Sequence, residues 1–185
     1  MGMVLEGRSG IPIEGNARGQ LSTHATAVSE EHEANLASDG YVLPINGIDV
    51  NGAEHIVVIK NGDDRDLIIT AITLSGSETG RWVHVYLNES FTYAAGGTPV
   101  VPTNVKSGIV GGAEGEFYTL DAAGTDITTF TGTSTIAGIY TFQTTPLTYR
   151  TDSGWVVPKG QVWSLYNVSN NIVYNGHISF YYHHG

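Results

Sequence analysis

The chain has 185 residues, with 8 Lys and Arg against 18 Asp and Glu, a formal charge of −10. So acidic a surface cannot gather phosphates, because nucleic-acid affinity comes from Lys and Arg displacing condensed counterions, and anionic membranes repel it; no nucleic acid and no membrane is expected as a partner. Cysteine is absent, which excludes disulfides, thiol nucleophiles and thiolate metal centres, while 24 Gly, 10 Tyr, 3 Trp and a hydrophobic share of 41% describe a globular chain that leans to β structure.

Residues 1–38 carry Gly7, Gly10, Gly15 and Gly19, which break any period, with Ser, Thr, Asn and Glu between them. An extended N-terminal arm (1–38) is predicted, followed by a β domain (39–185). Ser29 can cap one helical turn over the acidic residues Glu30, Glu31 and Glu33, but the apolar face there is too thin to hold a helix. A segment with so little to bury has to be ordered by another surface. Its larger side chains Ile11, Ile13, Arg18, Leu21, His24 and His32 are therefore the expected partner-binding residues.

From residue 40 the pattern becomes strand, turn, strand. His55–Lys60 reads as a buried strand, Asn61-Gly62-Asp63-Asp64 as a hairpin turn, and Asp66–Leu74 as the return strand. Arg81–Leu87 is bulky in both alternating sets, which predicts a central strand covered on both sides. Pro99 and Pro102 push Thr98–Val105 to an edge or a loop, and Glu116–Leu120 is a short strand. The Thr-rich runs 126–136 and 139–145 suit a half-exposed pleated surface. Gln161–Val168 and Asn171–Tyr182 read as a hairpin around Ser169-Asn170. In the second of these strands Ile172, Tyr174, Ile178, Phe180 and Tyr182 share one face, with Asn175, His177, Ser179 and His183 on the other. So many short strands in one domain predict an antiparallel β-sandwich, jelly-roll-like in its connections.

Motifs for chemistry are sparse. The Gly-rich stretch Gly108–Gly115 lacks the Lys-Ser/Thr and the helix of a phosphate-binding loop, and no Ser sits in a nucleophile elbow. Glu114 and Glu116 would project from one strand face about 6–7 Å apart, but carboxylates of glycoside hydrolysis come from separate elements. Asp63, Asp64 and Asp66 crowd one turn and form a candidate site for a hard cation, with Arg65 as a charge partner. His177 and His183 lie about 20 Å apart along one strand and cannot share an ion within one chain. His84 shares a face with Trp82 and Tyr86, as a hydrogen-bonded core or interface residue does. Among the aromatic residues that can stack on a sugar, namely Trp82, Trp155, Trp163, Tyr181 and Tyr182, Trp155 follows Gly154 and is the expected exposed one, hence the candidate glycan-binding residue. No catalytic residue and no cofactor is expected.

The run from His55 to Leu74, an apolar strand ending in Lys-Asn, an acidic turn, then Asp-Leu-Ile-Ile, resembles small structural proteins of tailed bacteriophages, and Gly15–Leu21 with Ala27–His32 is similar to the arms that precede such strands. The resemblance covers residues 15–74 and implies a virion component, either a head-decoration protein or a fibre-like appendage. It implies the major capsid protein or another virion protein as partner. An arm that needs a host surface and a cysteine-free, polar-faced sandwich fit a cementing role in the virion, with the domains assembled as homotrimers. The alternative is a receptor- or carbohydrate-binding domain of a tail fibre or adhesin.

Overall fold

Alternating and doubly apolar runs dictate strands along this chain, and among the described residues there is no helix. The structure, a computed structural model, describes residues 5–6, 12–15, 21–22, 39–93, 96–106, 112–120, 125–168 and 171–183. Three short strands lie in the N-terminal segment: β1 (Leu5–Glu6), β2 (Pro12–Gly15) and β3 (Leu21–Ser22). Eleven more follow: β4 (Gly40–Val50), β5 (Glu54–Asn61), β6 (Asp66–Gly76), β7 (Arg81–Tyr93), β8 (Gly97–Pro99), β9 (Thr103–Asn104), β10 (Gly115–Leu120), β11 (Thr128–Phe142), β12 (Leu147–Val157), β13 (Val162–Asn167) and β14 (Ile172–His183).

β1, β2 and β3 pair antiparallel, Leu5 opposite Ile13 and Gly15 opposite Leu21. This ladder satisfies peptide groups that a lone strand leaves to water. Ile11, Arg18, His24, His32 and the candidate helical turn lie outside the described residues.

The other strands form an antiparallel sandwich of two sheets, one in the order β11-β7-β13-β5-β10-β8 and the other β12-β6-β14-β4-β9. The long strands pair in nested fashion: β4 with β14, β5 with β13, β6 with β12, β7 with β11. The chain is one long antiparallel ribbon with its apex at β7 and β11, wound so that successive pairs fall in alternate sheets. The insertion β8–β10 extends the β5 edge of one sheet and the β4 edge of the other. Pro99 stands on an edge strand, as its missing donor requires.

Two expected hairpins are corrected by this order. β5 and β6 lie in different sheets, so Asn61-Gly62-Asp63-Asp64 carries the chain across the sandwich. β13 and β14 also lie in different sheets. The reason is burial: β5 is covered on nearly its whole length and pairs with β13 and β10, so neither neighbour place is left for β6.

The inner faces meet in a continuous apolar core. Tyr41, Phe180 and Phe117 stack in series, with centroids 5.5 and 5.6 Å apart, and Trp155 packs 6.1 Å from Trp163. Buried polar links tie the sheets together: the Tyr174 hydroxyl donates to Asn167 Oδ1 at 2.8 Å, Asn167 Nδ2 donates to the Gly52 carbonyl at 2.6 Å, and Asn61 Nδ2 donates to the Val157 carbonyl at 2.9 Å. On β14 the apolar set Ile172, Tyr174, Ile178, Phe180 and Tyr182 is buried, as the alternation predicts.

Candidate functional site

The outer face of the six-stranded sheet departs from the usual polar cover of a sandwich. Val83 and Val85 of β7 point into the core, so Trp82, His84, Tyr86 and Asn88 point out. Register carries that face sideways: Tyr86 lies opposite Ser164 of β13 and Ile136 of β11, while His84 lies opposite Tyr166 and Ile139. On the next strand His55 lies opposite Tyr166. Trp82, Ile136 and Ile139 are about half exposed. Among the described residues the outer side of β7 is thus only partly covered, with Trp82 half exposed, where cover on both sides was expected.

A basin of about 270 Å³ opens on this face, lined by His55, Tyr86, Asn88, Asp126, Ser134 and Tyr166. The Asp126 carboxylate, just ahead of β11, is held by several hydrogen bonds. The His55 backbone N–H donates to Oδ1 at 2.9 Å, and the His55 Nδ1 lies 2.9 Å from each carboxylate oxygen. The Ile127 N–H donates to the same carboxylate at 2.8 Å. Burial alone would raise the Asp126 carboxyl, yet the hydrogen bonds from His55 outweigh it and hold the group below the usual carboxylate range. The aromatic wall is built from contacts at right angles: Tyr86 meets Tyr166 edge to face at 5.7 Å, and His55 tilts against Tyr166 at 4.6 Å. Asn88, itself buried, donates to the Ser164 hydroxyl at 3.3 Å. Two tyrosines, an asparagine, a serine and an aspartate thus line one cavity.

The residues singled out from the sequence fall elsewhere. Trp155 is 6% exposed and turned into the core against Tyr140 and Trp163, which corrects the expectation of an exposed sugar platform. Gly154 with φ +68° marks a register shift in β12, where a left-handed residue re-aims the strand; that glycine reports backbone geometry, not exposure. Asp63, Asp64 and Asp66 do not converge. Asp63 is buried against Arg65, which donates from Nε at 3.0 Å, from Nη2 at 2.6 Å and from its backbone N–H at 2.9 Å. Asp64 pairs with Lys159, and Asp66 opens β6 opposite His183. Among the described residues no three His, Asp or Glu side chains stand close enough to share an ion. Glu116 takes the Lys60 ammonium at 2.7 Å, while Glu114 uses its carbonyl to accept from the Tyr182 hydroxyl at 2.6 Å. Trp163, Tyr181 and Tyr182 are buried.

Sequence reasoning passed over His55 and Asp126. They stand 71 positions apart, and His55 reads there only as the first residue of an apolar strand. The nested pairing brings them together, and no local spacing signals it. Comparison with family models, with curated proteins and with solved structures returned no match.

Proposed function

We propose that this chain is a non-enzymatic structural protein of a virion, a head-decoration protein that docks through its N-terminal segment and cements neighbouring capsid subunits. The observation that carries the reading is the clamp at Asp39, where that segment enters the sandwich. Arg65 Nη1 donates to the Asp39 carboxylate at 2.8 Å, and the Tyr182 backbone N–H donates to the Asp39 carbonyl at 3.1 Å. The same Arg65 grips Asp63 in the crossing between the sheets and lies 4.8 Å over the Tyr182 ring. A docking arm that carries load needs a fixed root, and these contacts tie its root to β14 and to the crossing between the sheets.

Two further features support the reading. The nested ribbon is the connection pattern of a jelly roll, an architecture used by capsid proteins and by lectins; this is an analogy of fold. The residues behind the bacteriophage resemblance, His55–Leu74, form the sheet-to-sheet crossing that holds the root. Each docked copy buries apolar area worth about 25 cal/mol per Å², and many copies on one particle add their effects.

The test compares the full chain with a form beginning at Asp39 in co-sedimentation with capsids of the virus that encodes it, with light scattering on both. The full chain is expected to pellet with capsids and to scatter as a trimer, and the shortened form to stay in the supernatant. A full chain that remains monomeric and leaves capsids bare overturns the proposal.

A further inference from the structure

The basin on the outer face of the six-stranded sheet is not used by the docking just described, and its chemistry is that of a ligand site. We propose that it binds one ring of a neutral glycan. Its volume of about 270 Å³ lies at the low end of small-molecule pockets and admits one sugar ring, not a chain in cross-section.

A pyranose asks for two things together: a flat apolar surface for its C–H face, and donors and acceptors around its rim. The perpendicular Tyr86 and Tyr166 rings supply the face and an edge at right angles to it. Among the lining residues Asp126 can accept, and Asn88, Ser134 and the two tyrosines can both donate and accept. These groups are already held in place, Asp126 by three donors from His55 and Ile127 and Asn88 by Ser164, so little ordering is left to oppose binding.

Charge narrows the ligand further. A carboxylate inside the basin and a net charge of −10 on the chain repel sialic acids, uronic acids and phosphorylated sugars. A cationic peptide is disfavoured as well, because the imidazole of His55 already lies against both oxygens of Asp126. A neutral polyhydroxylated ring meets neither obstacle.

The test is an amide-resolved NMR titration of the full chain with the methyl glycosides of glucose, galactose, mannose and N-acetylglucosamine, with methyl glucuronide as the acidic comparison. At least one neutral glycoside is expected to give saturable shifts at Tyr86, Asn88, Ser134 and Tyr166 with a millimolar dissociation constant, while the glucuronide gives none. Tyr86→Ala and the exposed Ser134→Ala are each expected to weaken binding about tenfold, the loss of one well-made contact of roughly 1.4 kcal/mol. Capsid co-sedimentation of the same variants is expected to be unchanged, which separates this site from the docking proposal. No shift with any neutral glycoside, shifts that map away from the basin, or binding that survives both substitutions overturns the inference.

Discussion

Arg65 shows how one side chain sets the fate of its neighbours. Three of its N–H groups reach Asp63 and a fourth reaches Asp39, so the guanidinium holds the Asp63 carboxyl at about 2 where 3.8 is ordinary. A carboxyl depressed in the folded state contributes stability that is complete above its unfolded value and is lost as pH falls through the folded one. For Asp63 that window runs from about pH 4 down to about 2, and the contribution at neutral pH is roughly 2 kcal/mol. Arg65→Met removes the partner and leaves a carboxylate that is 8% exposed without the cation that hydrogen-bonds it. The expected cost at pH 7 is about 3 kcal/mol. The sign of the pH effect then inverts for this group: protonating the orphaned carboxyl relieves a buried charge, so the gap between variant and parent narrows on acidification. Urea unfolding of both proteins at pH 7 and pH 3 checks this, and a gap that is constant or widens at pH 3 contradicts the clamp. Of this arrangement, the sequence showed that Arg65 sits among acids as a charge partner. The link to Asp39, 26 positions upstream, exists only because the crossing and the start of β4 meet at one end of the sandwich.

At the scale of elements, what was legible and what was not divide along local and non-local causes. β14 keeps its alternation of faces, with Tyr181 buried against Ile68 on the second face, because the irregularities beside it fall on its neighbours: the partners of Tyr174 and Gly176 on β4 are Ile48 and Ile45, so the extra residue sits on β4, beside Gly47. Its buried face was therefore readable residue by residue. The Asn-Gly turn after β5 was readable as a turn but not as a crossing, since a turn signal reports backbone geometry and cannot say whether the next strand joins the same sheet. The candidate site was illegible for the same reason, His55 and Asp126 being joined by the ribbon and not by spacing. Glycines offer a test of the elements themselves. Gly47 has φ +64° with nothing within 4 Å of where a Cβ would stand, so Gly47→Ala meets only the left-handed penalty of about 1 kcal/mol. Gly176 has φ +154°, and its Cβ would lie 2.0 Å from the Thr73 carbonyl oxygen in the ladder between β14 and β6. Gly176→Ala is expected to cost about 3 kcal/mol or more, or to prevent folding. Equal losses for the two substitutions in chemical denaturation would contradict the close approach of β14 and β6 at that point.

At the scale of the whole molecule, the nested ribbon predicts an order of assembly. Every pairing between long strands is non-local, which places folding in the slow range of milliseconds to seconds. The pairs are not equally remote. The apex pair of β7 and β11 closes first between Tyr93 and Thr128, 35 positions apart, whereas the outermost pair of β4 and β14 closes between Val50 and Ile172, 122 positions apart. Closing the outer pair from the open chain costs about 1 kcal/mol more in loop entropy, and once the apex has formed each next pair closes over only a short added span. Assembly is thus expected to start at β7 and β11 and to wind outward, with β4 and β14 docking late. Val85 of β7 and Leu43 of β4 are both fully buried, so truncating either to Ala destabilises the fold, Leu43→Ala by about 2–5 kcal/mol. The two are expected to divide that loss differently. Val85→Ala slows folding because its contacts are made in the transition state, while Leu43→Ala leaves the folding rate nearly unchanged and speeds unfolding. Stopped-flow chevrons of the two variants decide it. A folding arm slowed more by Leu43→Ala than by Val85→Ala would mean that the ends of the ribbon meet first, and that hydrophobic contact across the sandwich, not ribbon closure, nucleates this fold.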